Sequence, residues 1–167
     1  MDKGRLYWIT GLSGAGKTTI GTALYNKIRE KKSNVCILDG DKLRDVYHGV
    51  FGYTESERRK DALCTAKLCN LFTAQGIDVI CCTISMYDSV RDWNRANNEK
   101  YTEIYLKVTM ETLVKRDKKG LYSSKADNVV GVNQSMEEPK HPDVLINNDG
   151  QEKVEDIVNK ILATVES

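Results

Sequence analysis

The run Gly11-Leu12-Ser13-Gly14-Ala15-Gly16-Lys17-Thr18 constrains this chain more than any other stretch, because it fits the phosphate-loop pattern GxxxxGK[ST] at every position. Its flanks agree with it. Leu6-Tyr7-Trp8-Ile9 reads as a short buried strand, and Thr19 to Arg29 as a helix with Ile20, Ala23, Leu24 and Ile28 at helical spacing. This strand–loop–helix context separates the motif from an ordinary glycine-rich turn. Glycines let consecutive backbone N–H groups turn inward on a phosphate, and the helix start adds its partial positive charge. Gly11, Ser13, Gly14, Ala15, Gly16, Lys17, Thr18 and Thr19 are the expected nucleotide-binding set. Lys17 reaches the β- and γ-phosphates, and the Thr18 hydroxyl ligates Mg²⁺. The motif predicts a bound nucleoside triphosphate.

Downstream, strands and helices alternate. Asn34 to Leu38 is a second apolar strand ending in Asp39-Gly40-Asp41. Thr54 to Gln75 reads as a long helix with Thr54 as N-cap, Glu57 completing a capping box and Gly76 as the stop. Ile77 to Ile84 is a near-continuous apolar run, the signature of a strand buried on both faces. A helix over Tyr87 to Asn97, a strand over Glu103 to Val108 and a helix over Met110 to Arg116 follow. Lys118 to Lys140 is polar and weakly periodic, which predicts a loop or lid. Val144 to Ile146 is a last strand, and Lys153 to Val165 a closing amphipathic helix. The alternation predicts one α/β domain over 1–167: a P-loop NTPase-type parallel sheet, helices on both faces, and a mobile lid over about 118–140.

Bulk properties narrow the partners. The formal net charge of +1 provides no global field for nucleic acid or an anionic membrane, and no apolar run approaches a membrane span or a secretory signal. The five cysteines (Cys36, Cys64, Cys69, Cys81 and Cys82) lie in apolar segments without CxxC spacing. They read as buried thiols in a reducing compartment, the cytoplasm, rather than as a zinc or redox site.

Several side chains fit phosphate chemistry. Asp39 ends an apolar strand, where a phosphate-loop protein keeps the acid that supports Mg²⁺. Asp41 can accept the proton of a substrate hydroxyl or cap a helix beginning at Lys42, and the two roles are compatible. Arg44, one turn on, can grip a substrate phosphate or sulfate. Arg116 with Lys118 and Lys119 leads into the lid, where a cation can close over the triphosphate. Arg59, Arg91 and Arg95 read as surface charge. Tyr47, Phe51, Tyr53 and Tyr87 read as core packing, and His48 and His141 have no matching ligand set.

Taken together these pieces resemble adenylylsulfate kinase. The resemblance is carried by the phosphate loop, by Leu38-Asp39-Gly40-Asp41-Lys42-Leu43-Arg44, and by Phe51-Gly52-Tyr53 with Glu57-Arg58. It continues through Ile84-Ser85-Met86-Tyr87 with Arg91-Asp92 and through Lys115-Arg116-Asp117-Lys118-Lys119-Gly120-Leu121-Tyr122, in the family's order across nearly the whole chain. It implies ATP- and Mg²⁺-dependent phosphorylation of the 3′-hydroxyl of a nucleotide bearing a small anionic group. It also implies Asp41 as general base beside Lys17, and Arg44, Phe51, Arg58, Ile84 and Lys119 around the acceptor. Arg116 joins the ATP site, Thr18 and Asp39 the metal site, and a homodimer is allowed.

The departures are concentrated. Where the family usually shows Glu-Asn-Ile-Arg-Arg, this chain has Lys60-Asp61-Ala62-Leu63-Cys64, so an amide has become an acid and two guanidinium groups are gone. The lid phenylalanine that would stack on adenine aligns with Val132, and a proline with Met86. Three readings follow: a kinase of adenylyl sulfate, the same reaction on a different nucleotide such as cytidine diphosphoramidate in capsule modification, or a nucleotide-dependent switch without turnover. Asp39, Asp41, Arg44 and the lid weigh against the switch.

Overall fold

Successive residues of a strand point to opposite faces, and the first strand uses both. Leu6 and Trp8 enter one apolar cluster, Tyr7 and Ile9 another, and all four are at most 5% exposed. A computed structural model describes residues 2–166 except 118, 119, 125, 126, 128 and 133. Its strands are β1 (Arg5–Thr10), β2 (Val35–Asp39), β3 (Asp78–Thr83), β4 (Lys100–Lys107) and β5 (Val144–Asn147). They form one parallel sheet in the order β2-β3-β1-β4-β5. The helices are α1 (Lys17–Arg29), α2 (Gly40–Val46), α3 (Glu55–Thr73), α4 (Asp88–Asn97), α5 (Met110–Arg116) and α6 (Val154–Glu166).

Two layers of helices cover the sheet, as the alternation predicts. On one face Ile20, Leu24 and Ile28 of α1 and Ile157, Val158 and Ile161 of α6 pack on Ile9, Ile80, Ile104 and Ile146. On the other, Ala62, Ala66 and Cys69 of α3 and Val90 of α4 pack on Leu6, Trp8, Val79 and Cys81. Each large side chain buried this way stabilises the fold by about 1.5–3 kcal/mol before entropy is counted. Gly21 brings α1 close to the sheet, because a Cβ there would collide with Cys82 Sγ on β3. A third cluster of Leu12, Met86, Tyr105, Leu113 and Val130 gathers near the carboxyl ends of the strands.

The boundaries differ from the sequence reading in two informative places. β4 begins at Lys100 rather than Glu103, because Lys100, Tyr101 and Thr102 stand in register with Arg5, Leu6 and Tyr7 of β1. Arg5 Nη1 donates to Thr102 Oγ1 at 3.1 Å, so polar residues extend a strand that apolar pattern alone cuts short. The N-cap of α2 is Asp39, not Asp41: its carboxylate accepts from the backbone N–H groups of Asp41 and Lys42. The Thr54–Glu57 capping box on α3 is present as read.

All five cysteines are free thiols. Burial pushes Cys36 up to about 11 and Cys82 up to about 12, which keeps both protonated and unreactive. Among the described residues no helix is long and apolar enough to cross a membrane. Between α5 and β5 the described residues form turns and one isolated bridge, Val130 with Gln134. Lys118 and Lys119 lie outside the described residues.

Candidate active site

A parallel sheet aims every strand's carboxyl end at one edge, and the loops there converge. A cavity of about 500 Å³ opens at that edge. Its walls come from the phosphate loop, from Asp39 and Asp41 at the end of β2 and just beyond, from Thr83, Ile84 and Ser85 at the end of β3 and just beyond, and from Asn148 after β5. Arg44 of α2, Arg58 and Asp61 of α3 and Arg116 of α5 complete them. Ser85 has φ 29, a left-handed conformation uncommon outside glycine, and its hydroxyl lies 2.7 Å from Thr83 Oγ1.

The phosphate-loop end is held through the main chain. Gly16 precedes α1 at φ 95, and a Cβ on it would lie 2.6 Å from Asn148 Nδ2. No side chain caps α1 and no acid sits in its first turn, so the helix start presents backbone N–H groups and partial positive charge to an anion. Lys17 Nζ donates to Leu12 O at 2.8 Å across the loop. Arg116 donates to Gly14 O at 3.2 Å and Asn148 O at 2.8 Å, Asn148 Nδ2 to Ala15 O at 2.8 Å, and Tyr122 Oη to Ser13 O at 2.7 Å. Three distant segments thus fasten one loop. Thr18 Oγ1 donates to Asp39 Oδ2 at 2.6 Å, which joins the loop to β2 and gives Asp39 two jobs: N-cap of α2 and partner of Thr18.

The opposite wall is built from side chains. Arg44 Nη1 meets Asp61 Oδ2 at 2.7 Å, while its Nη2 donates to Gly52 O at 2.8 Å and Phe51 O at 3.2 Å. The Arg44 guanidinium stacks 4.2 Å from the centre of the Tyr53 ring, and Arg58 lies 5.3 Å from the same ring. Burial pushes the Asp61 carboxyl above the usual carboxylate range, and Arg44 pulls the other way. Burial and neighbouring Arg44 both hold Arg58 below its ordinary value.

Some expected site residues fall elsewhere. The Phe51 ring packs edge-on against Tyr47 and is not among the cavity-lining groups; its contribution is the carbonyl that Arg44 grips. Tyr53 is 59% exposed rather than core, because its faces serve arginines. Arg91, read as surface charge, is 3% exposed, with Asp88, the Glu137 carbonyl and Glu103 as partners. Arg59 is likewise no simple surface cation. It pairs with Glu55 and Glu137 and stacks 4.4 Å from the centre of the Tyr87 ring. Asn148 and Glu137 were missed outright. The position of Asn148 straight after a strand was a usable signal, whereas Glu137 gave none.

Sheet order, loop and cavity describe a phosphate-binding kinase scaffold, and the adenylylsulphate kinase profile matches residues 3–147. The chain belongs to the adenylylsulphate kinase family. Over 164 residues it is 43% identical to the cytidine diphosphoramidate kinase of Campylobacter jejuni, covering 93% of this chain and 95% of that one. It is 35% identical over 150 residues to a probable adenylyl-sulfate kinase of Archaeoglobus fulgidus, covering 87% and 97%. The solved APS kinase of Mycobacterium tuberculosis, in complex with AMPPNP and APS, superposes with a TM-score of 0.90 over the full length of both chains. At 23% identity that likeness shows the fold alone. As a member of the adenylylsulphate kinase family the chain is an ATP-dependent kinase that phosphorylates a nucleotide hydroxyl.

Proposed function

We propose that this kinase transfers the γ-phosphate of ATP to the 3′-hydroxyl of a cytidine nucleotide with a small anionic end, cytidine diphosphoramidate. The carrying observation for the reaction is that one cavity holds the phosphate loop, Asp39, Asp41 and Arg44. The choice of acceptor is supported by the 43% identity to a kinase of that name. The lack of an aromatic ring at Val132, which is 52% exposed, also suits an acceptor smaller than adenosine.

The residues divide the work. Lys17 and the backbone N–H groups at the start of α1 hold the β- and γ-phosphates, and Arg116 neutralises charge from the α5 side. Thr18 and Asp39 offer two hard oxygens 2.6 Å apart, a donor set that would suit Mg²⁺. The ion held by them would supply charge neutralisation on the triphosphate. Asp41 sits in the first turn of α2, fixed by its N–H to Asp39 Oδ1 at 3.0 Å. It takes the hydroxyl proton as the 3′-oxygen bonds to the γ-phosphorus and the bond to the bridging oxygen of ADP breaks. Positioning and charge stabilisation supply most of the rate. Five unpaired thiols suit a reducing compartment such as the cytoplasm.

The second reading, adenylyl sulfate as acceptor, is favoured by relatives such as the Archaeoglobus fulgidus protein. A coupled ADP-release assay with ATP and Mg²⁺ separates the two. The expected kcat/KM for cytidine diphosphoramidate exceeds that for adenylyl sulfate by at least ~10-fold, a modest discrimination for a built pocket. The reverse order replaces the acceptor and leaves the reaction standing. Asp41→Asn should keep ATP affinity while kcat falls by roughly 10²–10⁴. Unchanged turnover removes Asp41 as the base.

A further inference from the structure

The acceptor wall contains a carboxylate where an anion is to be bound. Arg58, Asp61, Ala62 and Thr65 follow one another at helical spacing, share one face of α3 and all line the cavity. Two guanidinium groups there, Arg44 and Arg58, suit an anionic group. The Asp61 carboxylate, 15% exposed at its side chain, opposes one. Its Oδ2 is committed to Arg44, and among the described residues its Oδ1 has no hydrogen-bond partner. A carboxylate accepts and never donates, so it repels a ligand that presents only oxygen lone pairs and welcomes an N–H. Two cations beside one half-buried acceptor therefore complement a group that is negative at some atoms and a hydrogen-bond donor at another.

We infer that Asp61 is the specificity residue for the acceptor's terminal group: it accepts from the amide N–H of a phosphoramidate and excludes an isosteric sulfate. Arg44 positions the carboxylate, and Arg44 with Arg58 takes the anionic oxygens. The inference rests on the phosphoramidate reading of the acceptor, and deepens it by separating recognition of the terminal group from recognition of the base. A terminal phosphoramidate and a terminal sulfate have the same tetrahedral shape and carry one negative charge each. They differ in one donor group. Specificity here comes as much from the penalty on the wrong ligand as from the bond to the right one.

The test crosses base with terminal group, using the cytidine and adenosine forms of the diphosphoramidate and of the phosphosulfate. Wild type is expected to prefer the amidate to the sulfate by at least ~30-fold in kcat/KM on whichever base it uses, since a carboxylate that closes against the ligand and is left facing oxygens is costly. In Asp61→Asn, whose side chain can donate to oxygen, the preference should fall at least ~10-fold because sulfate turnover rises. A gain of activity is a result that a damaged fold does not produce. Wild type that takes sulfate as readily as amidate overturns the inference without any variant, and so does an Asp61→Asn enzyme with full discrimination. Turnover confined to adenosine compounds overturns the cytidine reading alone, and the amidate-to-sulfate ratio on adenosine then decides Asp61.

Discussion

The two ends of the cavity are held by different kinds of bond. At the phosphate loop, Lys17, Arg116, Asn148 and Tyr122 all donate to main-chain carbonyls. At the acceptor wall Arg44 also reaches the Phe51 and Gly52 carbonyls, but its charge is met by the Asp61 side chain and its face by the Tyr53 ring. A loop fastened through its backbone depends on chain path, so few of its positions admit change. An ion pair such as Arg44 with Asp61 depends on which side chains are present, and one substitution rewrites it. On the proposed function, the donor end keeps the reaction constant while the acceptor end sets what is phosphorylated.

The largest expected effect tests that constancy. Lys17→Met should lower ADP release with every acceptor by at least ~10²-fold, the scale on which a single preorganised charge partner is felt. A variant that lost only one acceptor would break the division between the ends. Next in size, Gly16→Ala forces a Cβ into a left-handed position facing Asn148. About 1–3 kcal/mol of strain should lower Tm by roughly 2–12 °C in a chain of this length. Unchanged melting would show that the loop tolerates side chains as the acceptor wall does.

A smaller effect separates two carboxylates by sign. The Arg59 hydrogen bond holds the Glu137 carboxyl below the usual range. Glu137 therefore stabilises the fold above the unfolded value of about 4.3, and this is lost as pH falls through the lower native value. Melting between pH 3 and 6 should fall less steeply toward acid in Glu137→Gln than in wild type. Asp61 works in the opposite direction. Its raised value means stability declines as pH rises from the unfolded pKa through the native one, and Asp61→Asn should flatten that decline. The smallest change is expected from Val132→Phe. At an exposed position it should improve adenosine acceptors by no more than about threefold, short of the ~1–3 kcal/mol of a full base stack.

Legibility in the sequence followed the same division. The phosphate loop, α1 and the capping box on α3 are local patterns, readable within a few residues. Arg91 and Arg59 were misjudged because the partners that bury or fix them, Glu103 and Glu137, come from β4 and from beyond α5. The substitution at Asp61 was visible, but its pairing with Arg44, 17 positions away on another helix, was not. Periodicity reports which face of an element is apolar and says nothing about which charged residue on a second element will meet it.

The bonds from Arg116 and Asn148 to Gly14 and Ala15 also set an order of events in biosynthesis. The ribosome makes the phosphate-loop motif first and two of its supports more than a hundred residues later. A nascent chain short of residue 148 carries the phosphate-loop motif without the Asn148 bond that fastens it, so the loop is completed only when β5 has joined the sheet.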